Sequence, residues 1–477
     1  MNGHSEPRAF ECADCSSRTE SDDFDPRCPS CGSAMLLSPR RAGRVARSDF
    51  DRVPPGVWRF RAFLPDVPAD MVVTLGEGGT PLLPARRLGG ELGLGNLMIK
   101  DETMNPTGSF IDRGSTVLVS LAKERRVRRL SCVTTGNLGA SLAAYSAKAG
   151  IETVIRIGPS VDRAKLYQMI AYGSKVEVVS GASGSTRESS AAVVSAGNPF
   201  LLEGEKTTAF EVLHDLDWSQ PDAVVVPVGT GGHLTMMRRA FLELQQAGLI
   251  GEPECRLIGV QLEASAPIVG DMRRRRRPRT LQEPLTELEG SEPIFRRAAI
   301  RSMEDSGGTG VQVSTKAVIQ AMSLLAKTEG IFAEPAAASA VAALKLAREE
   351  GLLARDDRVV CVVTGTGLKD AKAIGRIARP PRRLAPAEDF VIRPLDLGPT
   401  KLRLMRAMAR GPSFGYGLWK SLSEERRITT ASVYQHLSEL EDAGLARRSR
   451  VEVFRGRERV FYELTRKGSE ILNALGP

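Results

Sequence analysis

Between about residue 70 and residue 377 the chain alternates short, β-branched apolar runs with helical patterns, and this alternation confines it to an α/β fold. The runs at 130–134 (LSCVT), 151–157 (IETVIRI), 175–179 (KVEVV), 223–228 (AVVVPV), 257–260 (LIGV) and 358–364 (RVVCVVT) are short, β-branched and largely apolar. Such strands belong to parallel sheets covered on both faces, because a sheet with one wet face would alternate apolar and polar residues. Helical segments lie between them; the one at 140–149 (ASLAAYSAKA) is closed by Gly150, a helix-stop residue. Ligands of such a fold bind beyond the carboxyl ends of the strands.

Three of those strand ends carry turns able to hold a polar ligand. Gly229-Thr230-Gly231-Gly232-His233 follows a strand and opens a helix, so its backbone N–H groups can cradle a phosphate at the positive end of a helix dipole. Thr134-Thr-Gly-Asn137 has the same layout and adds an amide side chain, and Thr364 supplies a hydroxyl at a third strand end. One glycine loop alone is commonly just a tight turn. Three in one domain point to a cofactor that bears a phosphate.

Four of the seven cysteines sit near the amino terminus as Cys12-x-x-Cys15 and Cys28-x-x-Cys31. Each pair places two thiolates on one turn, and two such turns complete a tetrahedral zinc shell. A shell closed by four thiolates leaves no position for water or substrate, so the expected zinc is structural. The intervening segment has few apolar residues, and metal binding is expected to supply most of its folding energy. Cys132, Cys255 and Cys361 are isolated from one another and read as packing residues.

At 477 residues the chain exceeds what one core supports. Its longest apolar runs fall far short of the roughly 20 residues that span a bilayer, and the amino terminus has no secretory pattern, so a cytoplasmic protein is expected. Charge is distributed unevenly. Residues 371–477 hold 21 Lys and Arg against 12 Asp and Glu, an excess of nine that is the whole of the +9 net charge. A basic carboxy-terminal segment on a neutral body suggests an appendage that binds a polyanion. The arginine run 273–277 reads as a solvated loop.

The segments Leu75-Gly-Glu-Gly-Gly-Thr-Pro, Lys100-Asp-Glu102, Asn105-Pro-Thr-Gly-Ser-Phe-Ile111-Asp112-Arg-Gly114, Gly204-Glu-Lys-Thr-Thr-Ala-Phe-Glu211 and Glu329-Gly-Ile-Phe-Ala-Glu-Pro335 stand in one order along the chain. In that order they resemble the threonine synthases, members of the tryptophan-synthase-like class of pyridoxal-phosphate enzymes. The resemblance covers most of residues 10–377. It implies a two-lobed fold type II architecture with parallel sheets, in which Asn137 meets the cofactor's phenolic oxygen, Gly229, Thr230, Gly231, Gly232 and His233 hold its phosphate, and Thr364 faces its pyridine nitrogen. The family more often has asparagine where His233 stands. It also has, at the position of Ile111, the lysine that anchors the cofactor as a Schiff base and moves protons during turnover. Isoleucine has no amine, so any pyridoxal phosphate is expected to bind without a covalent anchor. Lys100 and Lys369 match lysines the family has in addition to the anchoring one.

Beyond a proline-rich basic linker (378–395), helical patterns at 401–410, 414–425 and after Thr429 precede two strand patterns around Arg455-Gly-Arg457. Three helices and a basic hairpin make a winged helix-turn-helix, and the spacing of Gly-Pro-x-Phe-Gly-Tyr and Ser-Val-Tyr-x-x-Leu resembles PadR-type transcriptional regulators. This implies DNA contacts from Thr430, Ser432, Tyr434 and Gln435 on the third helix and from Arg455 and Arg457 on the wing. Winged helices also serve as docking modules. The expected layout is therefore a zinc ribbon (1–35), a threonine-synthase-like domain (36–377), the linker and a winged helix (396–477), with homodimers implied by both resemblances. Two functions follow. In one, a catalytically impaired synthase body binds an amino acid, a phosphorylated metabolite or unanchored cofactor and biases the DNA-binding domain. In the other, the protein is a working threonine synthase, converting O-phosphohomoserine to threonine and phosphate, with a regulatory domain attached.

Overall fold

A computed structural model describes residues 8–39, 43, 45–158, 161–179, 191–272, 293–370, 398–423, 428–454 and 457–474. The linker, the arginine run 273–277 and Arg455 lie outside them. Residues 1–379 form one compact unit and residues 380–477 another.

The first unit is built on two sheets. Thr309–Val313, Arg256–Leu262, Ala223–Pro227, Arg358–Val363 and Asn96–Asp101 run parallel in that order, and Leu82–Pro84 closes one edge antiparallel. Pro84 is tolerated there because an edge strand has N–H positions that need no partner. The second sheet is wholly parallel, in the order Lys175–Val178, Glu152–Ile157, Arg129–Thr134, Ala192–Val194. Val359, Val360, Cys361, Val362 and Val363 are all fully buried, as a central strand covered on both faces requires. Against it lies Pro335–Glu349, where Ala337, Ala340 and Ala343 let helix and sheet approach closely.

The ribbon is a three-stranded antiparallel sheet, with Arg8–Cys12 between Arg18–Ser21 and Met35–Leu37. It does not rely on metal alone. Phe10 and Phe24 are buried against Phe200 of the main body, with ring centroids 6.0 and 5.4 Å away. Phe24, the one large apolar residue between the cysteine pairs, packs the segment onto the main body, so burial acts there beside any metal.

In the second unit Pro399–Ala409, Gly415–Ser423 and Thr430–Asp442 enclose a core of Leu404, Met405, Met408, Leu418, Leu422, Val433, Leu437 and Leu440. The spacing of Leu402, Met405 and Met408 predicts the inward stripe of the first helix; Met405 and Met408 are buried there, but Leu404 joins them in place of Leu402, which is only half buried. Thr429 caps the third helix, its hydroxyl accepting from Ser432 N at 3.2 Å. The hairpin Ala446–Phe454 and Arg457–Leu464 gains a two-residue strand, Ser413–Phe414, and Arg466–Ala474 follows it. Among the described residues no helix is long and apolar enough to cross a membrane.

Candidate functional site

Ile111 is the first residue of the buried helix Ile111–Glu124, and the polar residues on either side of it are tied down. Asp112 is fully buried and accepts from Thr107 N (2.6 Å), Thr107 Oγ1 (2.7 Å) and Ser141 Oγ (2.5 Å). Burial pushes its carboxyl up, while those hydrogen bonds and the Lys369 ammonium act the other way. Arg113 is also fully buried. Its guanidinium makes paired hydrogen bonds to Glu102 (2.6 and 2.7 Å) and to Glu211 (2.8 and 2.6 Å) and also reaches Thr80. The two carboxylates hold Arg113 above its ordinary range, and their attraction to it keeps Glu211 low. The two residues that follow position 111 are therefore held by partners of their own, and Ile111 itself packs half-buried on the core that includes Leu138 and Leu142.

Around this helix head the strand-end turns converge. Phe110 N donates to Thr364 O at 3.0 Å, Ser109 bridges Gly365, and the Phe110 ring stacks on His233 with centroids 4.4 Å apart. His233 stands in the glycine cup, at the start of Gly232–Gln246. Gly231 takes φ +91°, and a Cβ on Gly232 would come within 2.7 Å of Leu202, so the cup needs both glycines. Burial drives His233 down to about 4, so the ring is neutral at physiological pH. Its Nε2 lies 3.3 Å from Thr208 Oγ1, and its Nδ1 is buried without a partner among the described residues.

Asn137 heads the helix Asn137–Ala149. Its Nδ2 donates to Glu334 Oε1 at 2.8 Å, while its Oδ1 is buried and unpartnered. Glu334 in turn pairs with Lys165 Nζ at 3.3 Å and lies against Gly365, where an added Cβ would meet its Oε1 at 2.5 Å. The structure thus brings together Asn137, Gly229 to His233, Thr364 and Ile111. Sequence reasoning missed Lys165 and the part Glu334 plays; a glutamate just before a helix-starting proline looks like a cap, and only the pairing of distant loops gives it a partner.

The residues fit a phosphate-bearing aromatic cofactor in two respects, a glycine cup at the head of a 15-residue helix and two orphaned buried polar atoms beside it. They do not fit a covalent anchor at position 111. Lys100 is held by Glu211 (3.0 Å), Asp215 (3.0 Å) and Thr80 O (2.6 Å), and Lys369 is buried with its chain beneath Gly108.

The four ribbon thiolates lie within 4.8 Å of one another, with Cys12 to Cys31 at 3.5 Å and Cys15 to Cys28 at 3.6 Å. A zinc tetrahedron with bonds of about 2.3 Å has sulfur–sulfur edges of about 3.8 Å, so the cluster fits that ion.

In the second unit Thr430, Tyr434 and Gln435 are exposed on the third helix and Ser432 is half-buried. Tyr434 also has a packing task, since its ring fills the space over Gly415, where a Cβ would meet it at 2.5 Å. Arg447, Arg448 and Arg450 project from the first wing strand, paired with Glu463, Glu441 and Glu452. Arg457 begins the second wing strand.

Residues 73–365 match the pyridoxal-phosphate dependent enzyme family, and residues 404–474 match the PadR-like transcriptional regulators. The chain belongs to the pyridoxal-phosphate dependent enzyme family and ends in a PadR-like domain. Within that family its relatives include threonine synthases. That of Methanocaldococcus jannaschii is 39% identical over 345 residues, covering 69% of this chain and 84% of the relative. That of Methanosarcina acetivorans is 33% identical over 386 residues, covering 78% and 95%. Among solved structures, threonine deaminase isoform 2 from Solanum lycopersicum superposes with a TM-score of 0.53 at 17% identity over 74% of this chain and 98% of its own. That likeness supports the fold alone.

Proposed function

We propose that this protein is a threonine-synthase-like regulator, in which a pocket that has lost its anchoring lysine binds a small amino-acid or phosphorylated ligand and biases a DNA-binding domain. The observation that carries the reading is Ile111, an apolar side chain at the head of a helix whose Asp112 and Arg113 are held by nine hydrogen bonds to buried partners. Everything that positions residue 111 is kept, and only the amine is gone. Pyridoxal phosphate, when bound to enzymes of this class, supplies an electron-accepting ring. In this chain the cup residues Gly229 to His233 would hold its phosphate, Asn137 would meet the substituents opposite, and Thr364 would lie by the ring nitrogen.

Without a lysine at 111 there is no side chain on the loop to carry a proton between substrate carbons, and loss of such a group costs about 10²–10⁴-fold in rate. Lys100 does not compensate, because its two carboxylates hold it within the Arg113 network. Regulation further requires that the ligand favour one state of the DNA-binding domain over the other, since a ligand that binds both states equally shifts nothing.

The test is an absorbance spectrum of the full-length protein with added pyridoxal phosphate, with and without borohydride. No reducible visible band is expected for the natural chain, and one should appear in Ile111→Lys. A band in the natural chain that maps to another lysine would overturn the reading. The identity to threonine synthases favours the second reading, a working synthase, and threonine release from O-phosphohomoserine by the natural chain would establish it.

A further inference from the structure

The polar atoms left unpaired in the pocket specify what its ligand must present. Glu334 is a carboxylate in an ion pair with Lys165, so it can only accept hydrogen bonds. The Asn137 amide must therefore turn its NH₂ towards Glu334, at 2.8 Å, and this leaves Oδ1, an acceptor, as the free atom. Asn137 is only 7% exposed, so water does not readily satisfy that oxygen. A buried carbonyl left without a donor is costly, and the ligand that binds best here is one that brings an N–H or O–H to it.

The same corner carries the Glu334 carboxylate, which lies against Gly365 and so beside Ser109 and Phe110, the residues that lead into Ile111. A donor placed there meets the free Asn137 oxygen, beside a Glu334 carboxylate already engaged by Asn137 and Lys165. Ile111 adds an apolar branched surface and no amine of its own. At the other end of the site His233 is neutral, and its unpartnered Nδ1 and the N–H groups of the cup suit a phosphate.

Resting on the reading that this pocket is a retained ligand site, we propose that it takes a pyridoxyl phosphate whose 4′ carbon carries an amine, pyridoxamine 5′-phosphate being the simplest, in preference to the free aldehyde. The aldehyde form places an aldehyde oxygen and an ionised phenol oxygen side by side, two acceptors where the pocket already has Asn137 Oδ1 and Glu334. The amine form replaces one of them with N–H donors and a positive charge. The lysine's loss then does more than abolish turnover: it changes which form of the vitamer the pocket prefers.

The test is calorimetric titration of the full-length, zinc-loaded protein, in buffer free of amines and phosphate, with pyridoxamine 5′-phosphate, pyridoxal 5′-phosphate and inorganic phosphate. Pyridoxamine 5′-phosphate is expected to bind about tenfold more tightly than the aldehyde, the worth of one satisfied buried acceptor. Asn137→Ala should shrink the ratio to within about twofold, and Glu334→Gln, which lets the amide turn over, should shrink it too. His233→Ala should weaken both ligands alike and keep the ratio, as expected of a phosphate contact, and Ile111→Lys should reverse the preference. An aldehyde bound as well as the amine, or a ratio untouched by both Asn137→Ala and Glu334→Gln, overturns the proposal while the pocket stands. Inorganic phosphate binding without either vitamer overturns it and leaves only an anion cup. If none of the three binds, the ligand-site reading fails as well.

Discussion

Replacing Glu205 by glutamine should raise stability at alkaline pH and remove a pH dependence the natural chain shows. Glu205 ends the helix Pro199–Glu205, is 3% exposed, and makes no ion pair or hydrogen bond among the described residues. Burial alone raises it from an ordinary 4.5 to about 8. Below the lower value both folded and unfolded chains carry the proton and the group contributes no slope. Between the two values the unfolded chain ionises while the folded one stays protonated, so stability falls as pH rises; above about 8 the loss is complete. At about 1.4 kcal/mol per pH unit the gap caps the effect at about 5 kcal/mol, and about half of that is expected once the local structure relaxes. The assay is urea denaturation of the natural chain and Glu205→Gln at about pH 5.5, 7 and 8.5, following Trp58 and Trp218 of the first unit. The two should differ least at the lowest pH and diverge further in favour of glutamine as it rises. Parallel curves, or a glutamine variant weaker at the highest pH, would refute the argument.

Three further outcomes follow from the same geometry. Arg113→Met leaves Glu102 buried without its cation and Glu211 with Lys100 alone, and should cost the first unit about 3–5 kcal/mol by denaturant titration; less than about 1 kcal/mol would mean the network is not what holds the loop. Chelation of the ribbon metal, or Cys15→Ser, should lower the thermal midpoint of the first unit in step with loss of bound zinc, without releasing the ribbon completely, because Phe10 and Phe24 still dock on Phe200. In the PadR-like unit, Gln435→Ala should cost about 1–3 kcal/mol on a selected duplex and relax its sequence preference, whereas Arg457→Ala should weaken all duplexes alike and flatten the salt dependence; identical effects of the two would contradict the roles expected of the third helix and the wing.

Much of the architecture was legible because burial on both faces leaves a mark on composition. The runs at 223–228 and 358–364 coincide within a residue with the strands Ala223–Pro227 and Arg358–Val363, since a central parallel strand needs apolar residues throughout. The winged helix read equally well from its stripes, apart from the first helix, where the spacing pointed to Leu402 and the core takes Leu404. The two-residue strand Ser413–Phe414 left no pattern to find, because so short a run has no period. Lys165 and Glu334 are 169 residues apart and each is unremarkable in its own stretch; their meeting beside Asn137 depends on the approach of the two lobes.

The amino-acid sequence by itself determined the α/β class, the four-thiolate metal shell, the basic winged domain and the missing amine at 111, since each is a matter of residue type at short range. Only the tertiary structure decided how that gap is surrounded. It showed that Arg113 and Asp112 are held by buried partners beside Ile111, that Lys100 is committed to other partners, and that Glu334 takes the Asn137 NH₂ so that its oxygen is left unpaired. Hydrogen-bond direction is a property of which groups meet, and that is set by packing between segments far apart in the chain.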